Sequence, residues 1–205
     1  ERRQSPPAVT HSSTEAIVRD SASLEYVIRM TAGPSAADEE RWAAKMLSLV
    51  LGDDSGSRLY WDLVDSGFAE HASLQHYDFL DAGVFATQIS CAADATEKIL
   101  LRILELYREA ATHGIREDEW ERARNKLSSR VVLAGERPRR RLFAIGLEWA
   151  HEQIYRSIAD DLSIVESVSL EGIHDVLRRW PLDGHASTVL AGPETASILS
   201  SMKPE

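Results

Sequence analysis

Apolar residues in this chain recur with two spacings, every second residue in short runs and every third or fourth in longer ones. The alternation is clearest from Leu24 to Ala32, where Leu24, Tyr26, Ile28 and Met30 share one face, as a strand requires. Gly33-Pro34 breaks the run. Ser35 stands where it can cap a helix running to about Leu51, whose apolar set is Trp42, Met46, Leu47, Leu49 and Val50. After Gly67, two runs split at Leu80-Asp81-Ala82-Gly83 predict a β-hairpin. Asp94 and Glu97 have capping-box spacing and open a helix striped with Ile99, Leu100, Ile103, Leu104, Tyr107 and Ala111. Gly114 sits where a left-handed C-cap belongs, with His113 beside it as a partner for the helix dipole. A second helix carries Trp120, Ala123, Leu127 and Val131 and stops near Gly135; a third holds Phe143, Leu147, Ala150 and Ile154 on one face. Two short helices follow. Ser169 caps the latter, Ile173, Val176, Leu177 and Trp180 form its buried side, and Pro181 stops it. Ala186 to Ala191 is a last strand.

Strands come first, helices cluster after the hairpin, and one strand returns at the end. That order predicts an α+β fold, a largely antiparallel sheet with helices packed on one face. Residues 1–13 are polar and Pro-rich and read as a leading arm or linker, with 14–205 as a single domain. The chain opens on Glu rather than Met, so we expect a processed product or an excised piece. A hydrophobic fraction of 43% with 27% charged residues is ordinary for a globular chain, and a net charge of −10 argues against a general nucleic-acid binder. The most apolar run, Ile99 to Leu106, is cut by Arg102 and Glu105, so no membrane span is expected. Cys91 is alone and cannot form an internal disulfide; a cytoplasmic setting is the expectation.

The stretch from Leu51 to Cys91 is the most informative: a small-residue loop, Ser57-Arg58-Leu59-Tyr60, an amphipathic segment, Gly67, then the paired runs broken at Asp81-Ala82-Gly83. With the segment Glu117 to Leu127 and the terminal V-S-L-E-G-I-H-D-V-L, it resembles the second-half, inactive domain of zinc metallopeptidases of the pitrilysin/insulinase family. The likeness runs in order from about Thr14 to Pro193. It implies a processing-peptidase-like half domain, one half of a clamshell whose other, N-terminal half or subunit binds Zn²⁺ and closes with this one over an extended peptide. The zinc motif of that family, H-x-x-E-H, does not occur in this chain. No cofactor is therefore expected here, zinc is expected on the partner domain, and the chain alone should be inactive. The resemblance also leaves room for a non-catalytic assembly subunit of the same fold. Many members of the family supply from this half an Arg and, seven residues on, a Tyr. Aligned on Ser57-Arg58-Leu59, Val64 stands in the Arg position; aligned on Gly67, Glu70 stands in the Tyr position, so the pair does not carry over.

Period two places His71, Ser73, Gln75 and Tyr77 on one face of the first hairpin strand and Ala72, Leu74 and His76 on the other. His71, Gln75 and Tyr77 are the candidate substrate-binding residues, lining a chamber wall and bonding a peptide backbone; an ordinary solvated sheet face would carry the same residues. His71 and His76 point to opposite faces and cannot share a metal. Glu148 and His151 have a ligand spacing on a helix, although surface pairs are far commoner at that spacing. Arg137, Arg139, Arg140 and Arg141 crowd a helix start against its dipole, which calls for an acidic partner in this chain, a sister domain or a substrate, or leaves them solvated. Asp53-Asp54-Ser55-Gly56 reads as a flexible linker rather than a cation loop, and Cys91 as a small buried hydrophobe. A face left over for a partner domain should be sticky, so self-association into a homodimer is a further expectation.

Overall fold

The computed structural model describes residues 12–193 and Thr195, with the side chains of His151 and Glu152 outside that set. The N-terminal arm expected over residues 1–13 therefore lies mostly outside the described residues. Five strands form one sheet in the order β1-β5-β2-β4-β3. They are β1 (Ser13–Val18), β2 (Glu25–Gly33), β3 (His71–Asp78), β4 (Gly83–Cys91) and β5 (Ala186–Gly192). β1 and β5 run parallel and every other pair is antiparallel. Six helices, α1 (Arg41–Gly52), α2 (Thr96–His113), α3 (Glu117–Gly135), α4 (Pro138–Glu152), α5 (Ile158–Ser167) and α6 (Leu170–Arg179), complete the described elements with a π-helical turn at Tyr60–Val64 and a 3₁₀ turn at Ala93–Ala95. This is the expected α+β arrangement, with the helices on one face of the sheet.

The core lies between that face and α1. Met46, Leu47, Val50 and Leu51 of α1 meet Ala72, Leu74, Phe85 and Ile89 of the hairpin, and α2 and α6 add Ile103, Tyr107, Ile173 and Val176. α1 approaches β3 so closely that a Cβ on Gly52 would lie 2.1 Å from the Leu74 amide nitrogen. The hairpin turn is as tight: a Cβ on Gly83 would lie 1.8 Å from the Pro34 carbonyl oxygen, so only glycine fits the D-x-G corner.

Several local expectations are corrected. β1 is absent from the sequence reading because its residues, STEAIV, are mostly exposed and too polar to alternate; pairing with β5 makes it a strand. Ser35 does not cap α1. Its amide and hydroxyl both donate to Asp38 (2.8 and 2.9 Å), closing a separate turn, and α1 begins six residues later. The Asp94–Glu97 box is not formed either. Asp94 lies in the 3₁₀ turn, and the helix starts at Thr96, whose buried hydroxyl donates to the Ala92 carbonyl at 3.2 Å. Gly114 does end α2 with φ 75°, its amide donating to Ala110, and His113 Nδ1 lies 3.2 Å from the Glu109 carbonyl. Ser169 caps α6 as expected, its hydroxyl accepting the Gly172 amide at 3.1 Å. The Asp53–Gly56 loop is tied down rather than free: buried Asp53 pairs with Lys126 and Arg130 of α3.

The apolar stripe of β2 faces the opposite way to a core stripe. Val27 is buried against the helices together with Glu25, Arg29 and Thr31, while Tyr26, Ile28 and Met30 stand exposed on the open side. The cost of burying Arg29 is offset by hydrogen bonds: it donates to the Leu182 carbonyl at 2.5 Å and the Gly184 carbonyl at 2.7 Å, fastening the α6–β5 link to the sheet.

The open sheet face as candidate functional site

Cross-strand register assembles the open face row by row. His71 pairs with Ser90, Ser90 with Tyr26, and Tyr26 with Ala191; the next row runs Ser73, Gln88, Ile28, Val189 and Glu15. A third row is Gln75, Ala86, Met30, Ser187 and Ser13, and a fourth brings Tyr77 beside Val84 and Ala32. The face is thus divided. β3 and β4 contribute a largely polar strip, and β2, β5 and β1 contribute an apolar one. Glu15 is its single carboxylate, in a chain that carries 33 of them.

His71, Gln75 and Tyr77 all project from this face, away from the helices, while Ala72 and Leu74 are buried beneath it. Within the strip, side chains pair along the strand. His71 Nε2 lies 2.9 Å from Ser73 Oγ, and the Tyr77 hydroxyl donates to Gln75 Oε1 at 2.6 Å. Each residue keeps hydrogen-bonding capacity toward solvent, because Gln75 retains its amide NH₂ and Tyr77 its acceptor lone pairs. β3 is an edge strand, so its outer backbone groups are not paired in the sheet.

His76 goes the other way. It is buried against Phe85, with ring centroids 5.0 Å apart, and Nε2 lies 2.9 Å from the Pro34 carbonyl. Burial lowers its pKa to about 4, so the ring is neutral near pH 7. His71 and His76 are therefore on opposite faces, as expected. Among the described residues no three His, Cys, Asp or Glu side chains gather where they could hold a metal ion. The described residues do not fit a zinc ion. Glu148, half of the Glu148–His151 spacing, instead accepts from Arg41 at 3.4 Å and from Arg156; the His151 side chain lies outside the described residues. Cys91 is buried, its thiol pKa raised by burial and its Sγ 3.4 Å from Thr96 Oγ1.

The two motifs that carried the family likeness meet in space and are structural. Arg58 of the S-R-L block clamps Glu119 of α3 with two bonds, 2.9 and 2.8 Å, and donates to the Gly114 carbonyl at 3.0 Å. Glu119 also accepts the Arg116 amide at 2.9 Å. Burial pushes the Glu119 carboxyl up, but Arg58 and the Arg116 amide outweigh it and hold the pKa below the usual range. Val64 ends the π-helical turn, partly buried against the core, and Glu70 is exposed at the mouth of β3 with its amide on the Ser90 carbonyl. Neither is a cation or a phenol, so the Arg and Tyr positions are empty of that chemistry. Of the arginine knot, Arg141 finds an acidic partner in this chain, Asp161 at 3.4 Å, and Arg139 lies over the Phe143 ring.

The sequence profile of the family described as peptidase M16 inactive domain matches residues 1–127, well over half of the chain. The chain belongs to the peptidase M16 inactive-domain family. It is 29% identical over 164 residues to an uncharacterized zinc protease of Streptomyces coelicolor, a match covering 76% of this chain and 35% of the relative. A second uncharacterized zinc protease, from Rickettsia bellii, is 23% identical over 160 residues, covering 78% of this chain and 38% of the relative. The chain thus spans little more than a third of these relatives. The M16 inactive domain from Pseudomonas fluorescens has the same fold (TM-score 0.78, 14% identity, 92% of this chain and 45% of that one). So does a protease from Helicobacter pylori (TM-score 0.74, 18% identity, 87% of this chain and 43% of that one). A chain of complex III2 from Candida albicans also superposes (TM-score 0.79, 12% identity, 96% of this chain and 50% of that one). At these identities the structural likeness is one of fold alone. In this M16 domain no described helix is long and apolar enough to cross a membrane.

The apolar half of the open face is the part that sequence reasoning missed. Its signal was present in the Leu24–Met30 alternation, but periodicity says only that a strand has two faces, not which one meets the helices.

Proposed function

We propose that this domain is the substrate-enclosing, non-zinc-binding half of a zinc-dependent metalloendopeptidase that degrades or processes peptides. Zinc sits on an N-terminal half or subunit, and both work in the cytoplasm. The observation that carries the reading is the polar strip of an M16 inactive domain, with His71, Gln75 and Tyr77 standing on the sheet face opposite the helices. An extended peptide offers backbone donors and acceptors along its length, and such a strip at a sheet edge can meet several of them. In the intact enzyme, Tyr77→Phe and His71→Ala should slow peptide turnover while the fold is kept. Loss of one hydrogen bond made in the transition state costs about 0.5–1.5 kcal/mol, a few-fold to roughly tenfold in rate. If both variants keep full activity, the strip takes no part in substrate binding.

A second reading, a non-catalytic assembly subunit of the same fold, is favoured by Val64 and Glu70 standing where an Arg and a Tyr would help catalysis. Mixing the chain with a half that carries H-x-x-E-H decides between them. Peptide cleavage that requires both halves supports the enzyme; a stable complex without cleavage supports the assembly subunit.

A further inference from the structure

α4 joins the helical layer without sinking a side chain into the core: among its described residues none is buried. It packs on α3, and ion pairs fasten it to the rest. Glu148 accepts from Arg41 of α1 at 3.4 Å and from Arg156, and Arg141 pairs with Asp161 of α5 at 3.4 Å. A cavity of about 280 Å³ remains between α4, the end of α3 and α1. Part of its wall is apolar, with Trp42 of α1, Val131 of α3, and Ala144 and Ile145 of α4. The rest is charged. Arg41, Lys45, Arg140, Arg141 and Arg156 line it against three carboxylates, an excess of two positive charges in a chain whose net charge is −10. Lys45 donates to Asp78 at 2.7 Å, Arg141 has Asp161, and Arg41 and Arg156 share Glu148. The fifth cation, Arg140, has no carboxylate partner among the described residues.

We propose that this cavity binds a small organic dianion, its anionic group taken by Arg140 and its apolar part lying on Ala144, Ile145, Val131 and Trp42. The charge excess sets the class of ligand, since a dianion balances two uncompensated cations. The volume sets its size. At about 280 Å³ the cavity is at the lower edge of small-molecule sites, which run from about 300 to 1,000 Å³, so the ligand is compact. The walls set its shape, because a fully hydrated ion would leave the apolar side unused. Arg41, whose side chain is only 4% exposed, and its partners make a charged wall shielded from bulk water, where attraction to an anion is stronger than at the open surface. Arg140 also stands near the N-terminus of α4, against the helix dipole, and an anion beside it relieves that repulsion. A ligand so placed touches α1, α3 and α4 together, and ties down a helix that contributes no buried side chain of its own. None of His71, Gln75 and Tyr77 lines the cavity, so the proposal does not rest on the peptidase reading.

The test is titration calorimetry of the chain with phenyl phosphate and with inorganic phosphate, near pH 7.5 and at constant ionic strength. Phenyl phosphate is a dianion under these conditions, because its second pKa is about 6. It is expected to bind one per chain with a Kd of about 1 mM or tighter. Inorganic phosphate lacks the apolar part and is expected to bind at least about threefold more weakly. Arg140→Glu should weaken phenyl phosphate by at least about tenfold. Arg139→Glu is the matched control: it makes the same charge change one residue away, but Arg139 lies over the Phe143 ring and does not line the cavity, so affinity should stay within about twofold. Ala144→Phe, at an exposed position on the cavity wall, should fill the space and abolish binding. All three variants should keep the circular dichroism spectrum of the wild type. Absence of saturable binding overturns the proposal. So does an equal loss in Arg139→Glu and Arg140→Glu, which would mean that a basic surface attracts any anion. Equal affinity for the two phosphates overturns it too, since the apolar wall would then play no part.

Discussion

Protonation of His76 should cost this fold more than that of an exposed histidine. In the neutral ring Nε2–H donates to the Pro34 carbonyl at 2.9 Å, and buried Nδ1 has no partner among the described groups. Adding a proton to Nδ1 places a charge where burial opposes it most and where Lys45 and Arg41 add repulsion; the Pro34 carbonyl and Asp78 only partly compensate. The pKa is lowered from 6.5 to about 4. Since the folded value lies below the unfolded one, the unfolded chain takes up the proton first as pH falls. The stabilisation is complete above about pH 6.5 and drains away toward pH 4. The full loss is about 3 kcal/mol, of which about 2 kcal/mol has gone by pH 5. The assay is urea unfolding of wild type and His76→Gln near pH 7.5 and near pH 5, at one protein concentration. Glutamine keeps an N–H for Pro34 but does not titrate. Wild type should lose about 2 kcal/mol more than the variant between the two conditions, since other groups titrate alike in both. If the two proteins lose stability equally, to within about 0.5 kcal/mol, His76 is not held neutral by burial and the reasoning fails.

Breaking the Arg58–Glu119 clamp by Glu119→Ala should destabilise the domain by about 2–4 kcal/mol in urea unfolding, between the values for surface and buried ion pairs, because Glu119 is 8% and Arg58 19% exposed. A change below about 0.5 kcal/mol would mean the clamp is ornamental. Gly52→Ala forces α1 off β3 and should cost at least about 1–3 kcal/mol by the same measurement; an unchanged midpoint would contradict the 2.1 Å approach. The chain should retain no stoichiometric zinc after dialysis, measured by plasma emission, and one tightly held zinc per chain would refute the reading that the metal belongs to a partner half.

Sequence by itself determined most of the elements. Alternation located β2 and the hairpin, apolar stripes located α2, α3 and α6, and Gly114 and Ser169 marked ends that the backbone respects. These are local signals, set by a few neighbouring dihedrals and hydrogen bonds. The order of the motifs was enough to reach the family, and the parity of β3 was enough to put His71, Gln75 and Tyr77 on one face. Tertiary structure decided what local signals cannot carry. Ser35 and Asp94 had capping chemistry, yet other hydrogen bonds nearby satisfied them or the helix began later. β1 exists only because β5 offers it a ladder. The alternation in β2 was legible, but its sign was not: Arg29 goes inward because the carbonyls of Leu182 and Gly184, more than 150 residues away, are there to receive it. The stripe of α4 had the spacing of a buried face and stays exposed, because burial depends on what lies opposite a helix, and no described element of this chain lies there.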